Sequence, residues 1–172
     1  MESVAEVWMR GPITGVPALL QPVAHALLQV KEELSSLLAN FPKAFLWERP
    51  ANLASVAFHL QHIVGVIDRM FTYAKQQPLS DKQFLYLRNE GTQNDSIDIE
   101  ILLKQLDNCI TTAILELKKI DTATLAEQRS IGRKKIPTTL IGLLFHAAEH
   151  AQRHTGQTLV TAKIILDKAS NT

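Results

Sequence analysis

The chain has a single cysteine, Cys109, so no internal disulfide can staple it. That fits a reducing compartment. Aromatic residues make up only 6% of the sequence. The core must then come from Leu, Ile, Val and Ala, which favours packed helices over a β-sandwich built on aromatic and β-branched strands. No apolar run approaches the roughly 20 residues that a membrane span requires. The opening stretch Met1-Glu2-Ser3-Val4-Ala5-Glu6 has neither the basic start nor the apolar block of a signal peptide. A cytoplasmic location, with no membrane partner, is the resulting expectation. Charge of one sign is also missing: 18 basic and 17 acidic side chains leave a formal charge of +1. A nucleic-acid partner would call for a basic face, and the balance argues against one. The longest basic run, Arg133-Lys134-Lys135 beside Gly132, reads as a solvated turn.

What is present suits one domain over residues 1–172, since 46% of the residues are hydrophobic, enough for one core. Residues 1–16, with Gly11, Pro12 and Gly15, read as an irregular lead-in. A first helix is predicted from about Pro17 to Asn40 on Leu20, Val23, Leu27, Val30 and Leu34. Phe41-Pro42 ends it, and residues 42–51 connect. A second helix, capped by Asn52, runs to about Gln76 on Leu53, Val56, Leu60, Ile63, Val64, Ile67 and Phe71. Ser80 caps a short helix from Asp81 to Asn89, followed by a loop over 90–94. Asp95 or Ser96 opens a third long helix to about Ile120. Residues 122–136 read as a polar connection with one helical turn at most. Pro137-Thr138-Thr139 opens the last long helix, to about Ala169. Little reads as strand. Four amphipathic helices bury their stripes together in an all-α four-helix bundle with long connections.

Five of the six histidines fall in two short segments: His59 and His62 on the second helix, and His146, His150 and His154 on the fourth. Residues four apart on a helix share a face about 6 Å apart along the axis, so two imidazoles so spaced can converge on one ion. Residues eight apart are separated by about 12 Å, too far for a shared ion with bonds near 2.0–2.1 Å. Spacing therefore leaves two pairs open, His146 with His150 or His150 with His154. On a helical wheel these histidines share the side of Leu143 and Ala147, the core side. His59 lies roughly 80° from the mean of its helix's apolar stripe. His62 lies roughly 140° away and points more outward, so His59 is the better third ligand. Clustered buried polar groups need shared partners, and a metal ion supplies one. Three histidines leave coordination positions open, which suits catalysis or ligand binding more than a closed structural site.

The run His150-Ala-Gln-Arg-His154-Thr-Gly-Gln157 resembles the His-x-x-x-His-x-Gly-Gln signature of the DinB-like proteins, grouped with YfiT-like metal-dependent hydrolases. Ser55-Val56-Ala57-Phe58-His59-Leu60-Gln61-His62-Ile63 resembles the family's His-Leu motif, and Pro137-Thr138-Thr139-Leu140 its approach to the last helix. The resemblance implies a four-helix bundle with a three-histidine metal site. Carried over by motif, the ligands are His59, His150 and His154. It also implies a divalent ion, zinc or nickel first and manganese or iron after them. Some relatives transfer low-molecular-weight thiols, so a small-molecule substrate, such as a thiol, is the expected partner. Gln157 is either a partner that hydrogen-bonds a ligand histidine or a partly exposed helix residue, and Gly156 either a position of close packing near the site or a loose spot in the helix.

Other residues read more plainly. Asp68 and Arg69 look like an ordinary surface pair. Glu149 projects about 100° from His150 and makes a poor base for the same ion. Glu90 sits in a long connection that can bend over the site. Cys109 reads as a buried, inert thiol, and His25 as a hydrogen-bonded core histidine. Phe45 and Trp47 anchor their loop. The leading expectation is a metal-dependent thiol S-transferase or hydrolase. Its rival is a non-catalytic, metal-binding stress-response protein, and behind both stands a bundle whose histidines only pack. A homodimer is the default assembly.

Overall fold

A computed structural model describes residues 5–171 of the chain. The first four residues of the opening stretch and Thr172 lie outside that range. Four long helices carry the structure: α1 (Gln21–Leu38), α2 (Val56–Ala74), α4 (Ile99–Leu117) and α5 (Leu140–Ser170), with a short α3 (Asp81–Asn89) between α2 and α4. The expected four-helix bundle is present, and its boundaries follow local chemistry. Ser55 caps α2 by accepting from Phe58 N–H, rather than Asn52, which has a positive φ in the preceding 3-10 turn. Asp98 caps α4 by accepting from Ile101 N–H. Ser80 and Gln83 form a reciprocal capping box at the start of α3.

The apolar stripes meet in one cluster. Leu20, Leu27, Leu34 and Leu38 from the α1 side, Leu60, Ile63 and Ile67 from α2, Leu102, Leu106 and Ile110 from α4, and Leu143 and Leu144 from α5 are all essentially inaccessible. Leu46 is buried too, with Phe45 and Trp47 packed beside it, so the first connection is anchored to the core. Among the described residues no helix is long and apolar enough to cross a membrane.

The stretch before α5 departs from expectation. Residues 122–139 hold one 3-10 turn and then an antiparallel hairpin, β1 (Gln128–Ile131) paired with β2 (Ile136–Thr139). Pro137 belongs to β2 and not to the helix. Thr139 is the cap, accepting from Gly142 N–H. The hairpin turn carries Gly132 and Lys135 at positive φ, with Arg133 and Lys134 exposed, so the basic run is a solvated turn. Arg129 Nε donates to Ala74 O at the end of α2, which holds the hairpin against the bundle.

Candidate metal centre

Helix α2 lies centrally, packed against α5 and α4 and covered in part by α3. Thirteen of its 19 residues are buried, far more than one stripe. That burial decides where its histidines go. His59 is buried against α5. His62 does not point outward as its wheel position predicts, because α3 and the turn after it cover that side of α2. Its Nε2 lies 3.0 Å from His150 Nε2, and its Nδ1 lies 2.6 Å from Glu90 Oε2.

The residues converge across the α2–α5 interface. His62, His150 and His154 each offer a ring nitrogen, all within 4.8 Å of one another. The His62 and His154 rings are 4.7 Å apart between centroids, and those of His150 and His154 are 4.6 Å apart. His59 does not join that group, but its Nδ1 stands 2.9 Å from His154 Nδ1. Phe58 stacks on His62 at 5.1 Å and meets His59 and His154 edge-on, fixing three rings at once. In a second group, His146, Glu149 and His150 also bring their ligand atoms within 4.8 Å of one another. There His146 Nδ1 pairs with Glu149 Oε1 at 2.8 Å, and Glu149 also accepts from Arg153.

Electrostatics favour neutral rings at the centre. Burial, reinforced by the neighbouring His62, lowers His59 to a pKa of about 4. His150 and His154 are lowered to about 4 as well, by burial first and then by the surrounding imidazoles. Neutral imidazoles are the form that ligates a metal. His150 Nδ1 is buried with no hydrogen-bond partner, a cost that a structure normally avoids. Three neutral imidazoles together with an orphaned ring nitrogen fit a borderline divalent cation.

A pocket of about 500 Å³ opens beside these rings, walled by Leu53, Phe58, His59, His154, Gly156 and Val160. Gly156 is not a close-packing position, since a β-carbon there would meet nothing within 4 Å. Its missing side chain keeps the pocket open. Gln157 lines the same pocket, is exposed, and makes no hydrogen bond to a histidine. A separate cavity of about 340 Å³ between α2 and α4 holds no histidine. On its wall, burial raises the Cys109 thiol to a pKa of about 12, which keeps it inert. His25 Nε2 hydrogen-bonds Gly11 O at 3.1 Å, remote from the cluster.

The surface reading holds for Asp68, which is exposed, but not for Arg69, and the two do not pair with each other. Arg69 is buried and its Nη1 donates to Glu90 Oε1 at 2.6 Å, while Asp68 accepts from Gln83 Nε2. Sequence reasoning missed Phe58, His62 and Arg69 as a set. The available signal was the spacing of 58, 62, 65 and 69, which puts an aromatic, a histidine, a glycine and an arginine on one face of α2.

The model of the DinB superfamily matches residues 26–158, which span α2, the connections and the paired histidines of α5. The chain belongs to the DinB superfamily. Among solved structures, this DinB-superfamily chain is similar to a conserved protein from Enterococcus faecalis, with a TM-score of 0.70 and 18% identity over 87% of this chain and 98% of that one. At that identity the likeness shows the fold alone. No curated protein matches the chain.

Proposed function

We propose that this DinB-superfamily chain holds one divalent cation between His62 of α2 and His150 and His154 of α5, and activates a small-molecule thiol there. Zinc or nickel suits three imidazoles best, with manganese or iron after them. The observation that carries the reading is the convergence of three ring nitrogens within 4.8 Å beside a pocket. His59, the ligand implied by the family motif, is the competing α2 residue. Its contact with His154 also suits an acceptor that orients His154 from behind.

A bound cation with three protein ligands keeps an open position, where it polarises a substrate and favours the deprotonated form of a thiol or water. The protein's part is to keep His150 and His154, with His59 behind them, neutral so that protons do not compete for these rings. Phe58 fixes the rings, and the apolar pocket wall seats the body of the substrate. Both carboxylates at the cluster are committed to cationic partners, Glu90 to Arg69 and Glu149 to Arg153. A hydrolytic base is therefore not at hand among them. That favours thiol transfer over hydrolysis, because a thiol releases its proton to bulk water at a pKa of about 8.5 against about 15.7 for water, and so needs a base less.

The test is metal content and zinc or nickel titration of the untagged chain, followed by thiol-transfer assays with the loaded protein. One ion per chain, lost in His150→Ala, supports the centre, and turnover supports the enzyme. Metal bound with no turnover across thiols and hydrolysable esters moves the reading to a non-catalytic binding protein. No metal bound contradicts both.

A further inference from the structure

The α3 segment and the turn after it are fastened to α2 by four separate contacts. Tyr86 Oη donates to Gln61 O at 3.2 Å, and Gly91 N–H donates to Gln61 Oε1 at 2.8 Å. Gln83 Nε2 donates to Asp68 Oδ2 and Thr72 Oγ1. The fourth contact is Glu90, whose two carboxylate oxygens are divided between Arg69 and His62. Glu90 is only 4% exposed at its side chain and Arg69 only 9%. Buried carboxylates are rare unless paired, and this one is paired twice.

Two glycines make the approach possible. At Gly65 a β-carbon would collide with Glu90 Oε1 and Arg69 Nη1. At Gly91, where φ is +79°, a β-carbon would press on Phe58, the ring that stacks on His62. The sequence thus leaves space where the strap presses on α2, on both sides of the carboxylate.

Resting on the metal reading above, we infer that Glu90 is a positioning residue, fixing His62 with its proton on Nδ1 and its Nε2 lone pair turned to His150 and His154. The chemistry follows from the donor count. An ionised carboxylate only accepts, so His62 Nδ1 must donate to it. In a neutral ring the other nitrogen then carries the lone pair. That nitrogen is the one 3.0 Å from His150 Nε2. Arg69, tied to the second oxygen at 2.6 Å, keeps the carboxylate correctly turned. A carboxylate behind a histidine ligand raises the ligand's basicity and locks its orientation, and its loss typically weakens metal binding ten- to a hundred-fold.

The experiment uses the full chain with Glu90→Ala and the isosteric Glu90→Gln, and has two readouts. The first is the His62 tautomer in the metal-free protein, read by long-range nitrogen–proton NMR. Wild type should show the proton on Nδ1, and the variants should shift it toward Nε2 or a mixture. The second is zinc affinity by competition titration, with an expected ten- to hundred-fold loss in Glu90→Ala and unchanged stoichiometry. An unmoved tautomer overturns the inference, as does zinc affinity within two-fold of wild type. If Glu90→Ala fails to fold, Glu90→Gln carries both readouts. If wild type binds no zinc yet the tautomer moves, the metal reading fails while the hold of Glu90 on His62 stands.

Discussion

Two clusters share His150, and they differ in everything except distance. Near the middle of α5, His150 and His154 meet His62 in the α2–α5 interface, with Phe58 stacked on one ring and a buried carboxylate behind it. One turn earlier, His146 is 43% exposed at its side chain, and Glu149 is shared with Arg153. Ligand atoms within reach of one another are common on a helix surface. What distinguishes the first cluster is that its rings are held in place by groups from three segments of chain, and that burial lowers His150 and His154 so that they stay neutral. The second is an exposed ion-pair network of the kind worth little to stability or binding.

The largest expected effect is at the shared residue. His150→Ala and His154→Ala should each abolish measurable zinc binding by titration, whereas His146→Ala should stay within about two-fold of wild type. Equal losses from His146→Ala and His154→Ala would erase the contrast. Next in size, His62→Ala should weaken zinc about a hundred-fold or more, and His59→Ala about ten-fold, the sizes expected for a ligand and for its outer support. The reverse order would make His59 the ligand.

The architecture was largely legible in the sequence, and the centre in part. Four long helices followed from the stripes on α1, α2, α4 and α5, and the Ser80 capping box marked α3 to the residue. The hairpin before α5 was hidden because its strands are four residues each, β1 alternating only between exposed and half-buried positions and β2 not alternating at all. His62 was misplaced for a different reason. A wheel centred on one stripe assumes one buried face, yet α2 is covered on nearly all sides. The cover on its outer side, Glu90, lies 21 residues from Arg69 and 28 from His62. Contacts of that range leave no periodic trace. The paired α5 histidines were legible because both lie on one helix, where spacing alone sets geometry.

A smaller effect tests the strap. Gly65→Ala gains about 1 kcal/mol of helix propensity but displaces the Glu90–Arg69 pair. Thermal stability should therefore fall, since disturbing a buried ion pair outweighs that gain, and zinc affinity should fall several-fold with it.

Acid should give a gradual effect. In the metal-free chain His59, His150 and His154 hold pKa values near 4 against about 6.5 when unfolded. Between those limits the unfolded chain binds more protons, so stability is full above about pH 6.5 and falls as pH drops toward 4. Denaturant midpoints measured from pH 7.5 to 4.5 should decline steadily, and less steeply in His59→Ala. A flat profile would mean that these rings are not held neutral by the fold.

Elemental analysis of the untagged chain beside His62→Ala and His150→Ala decides whether the α2–α5 interface holds a metal centre. Wild type should hold about one divalent ion per chain, and both variants a small fraction of that. Wild type free of metal after incubation with zinc, nickel and manganese, or variants that retain a full equivalent, would contradict it.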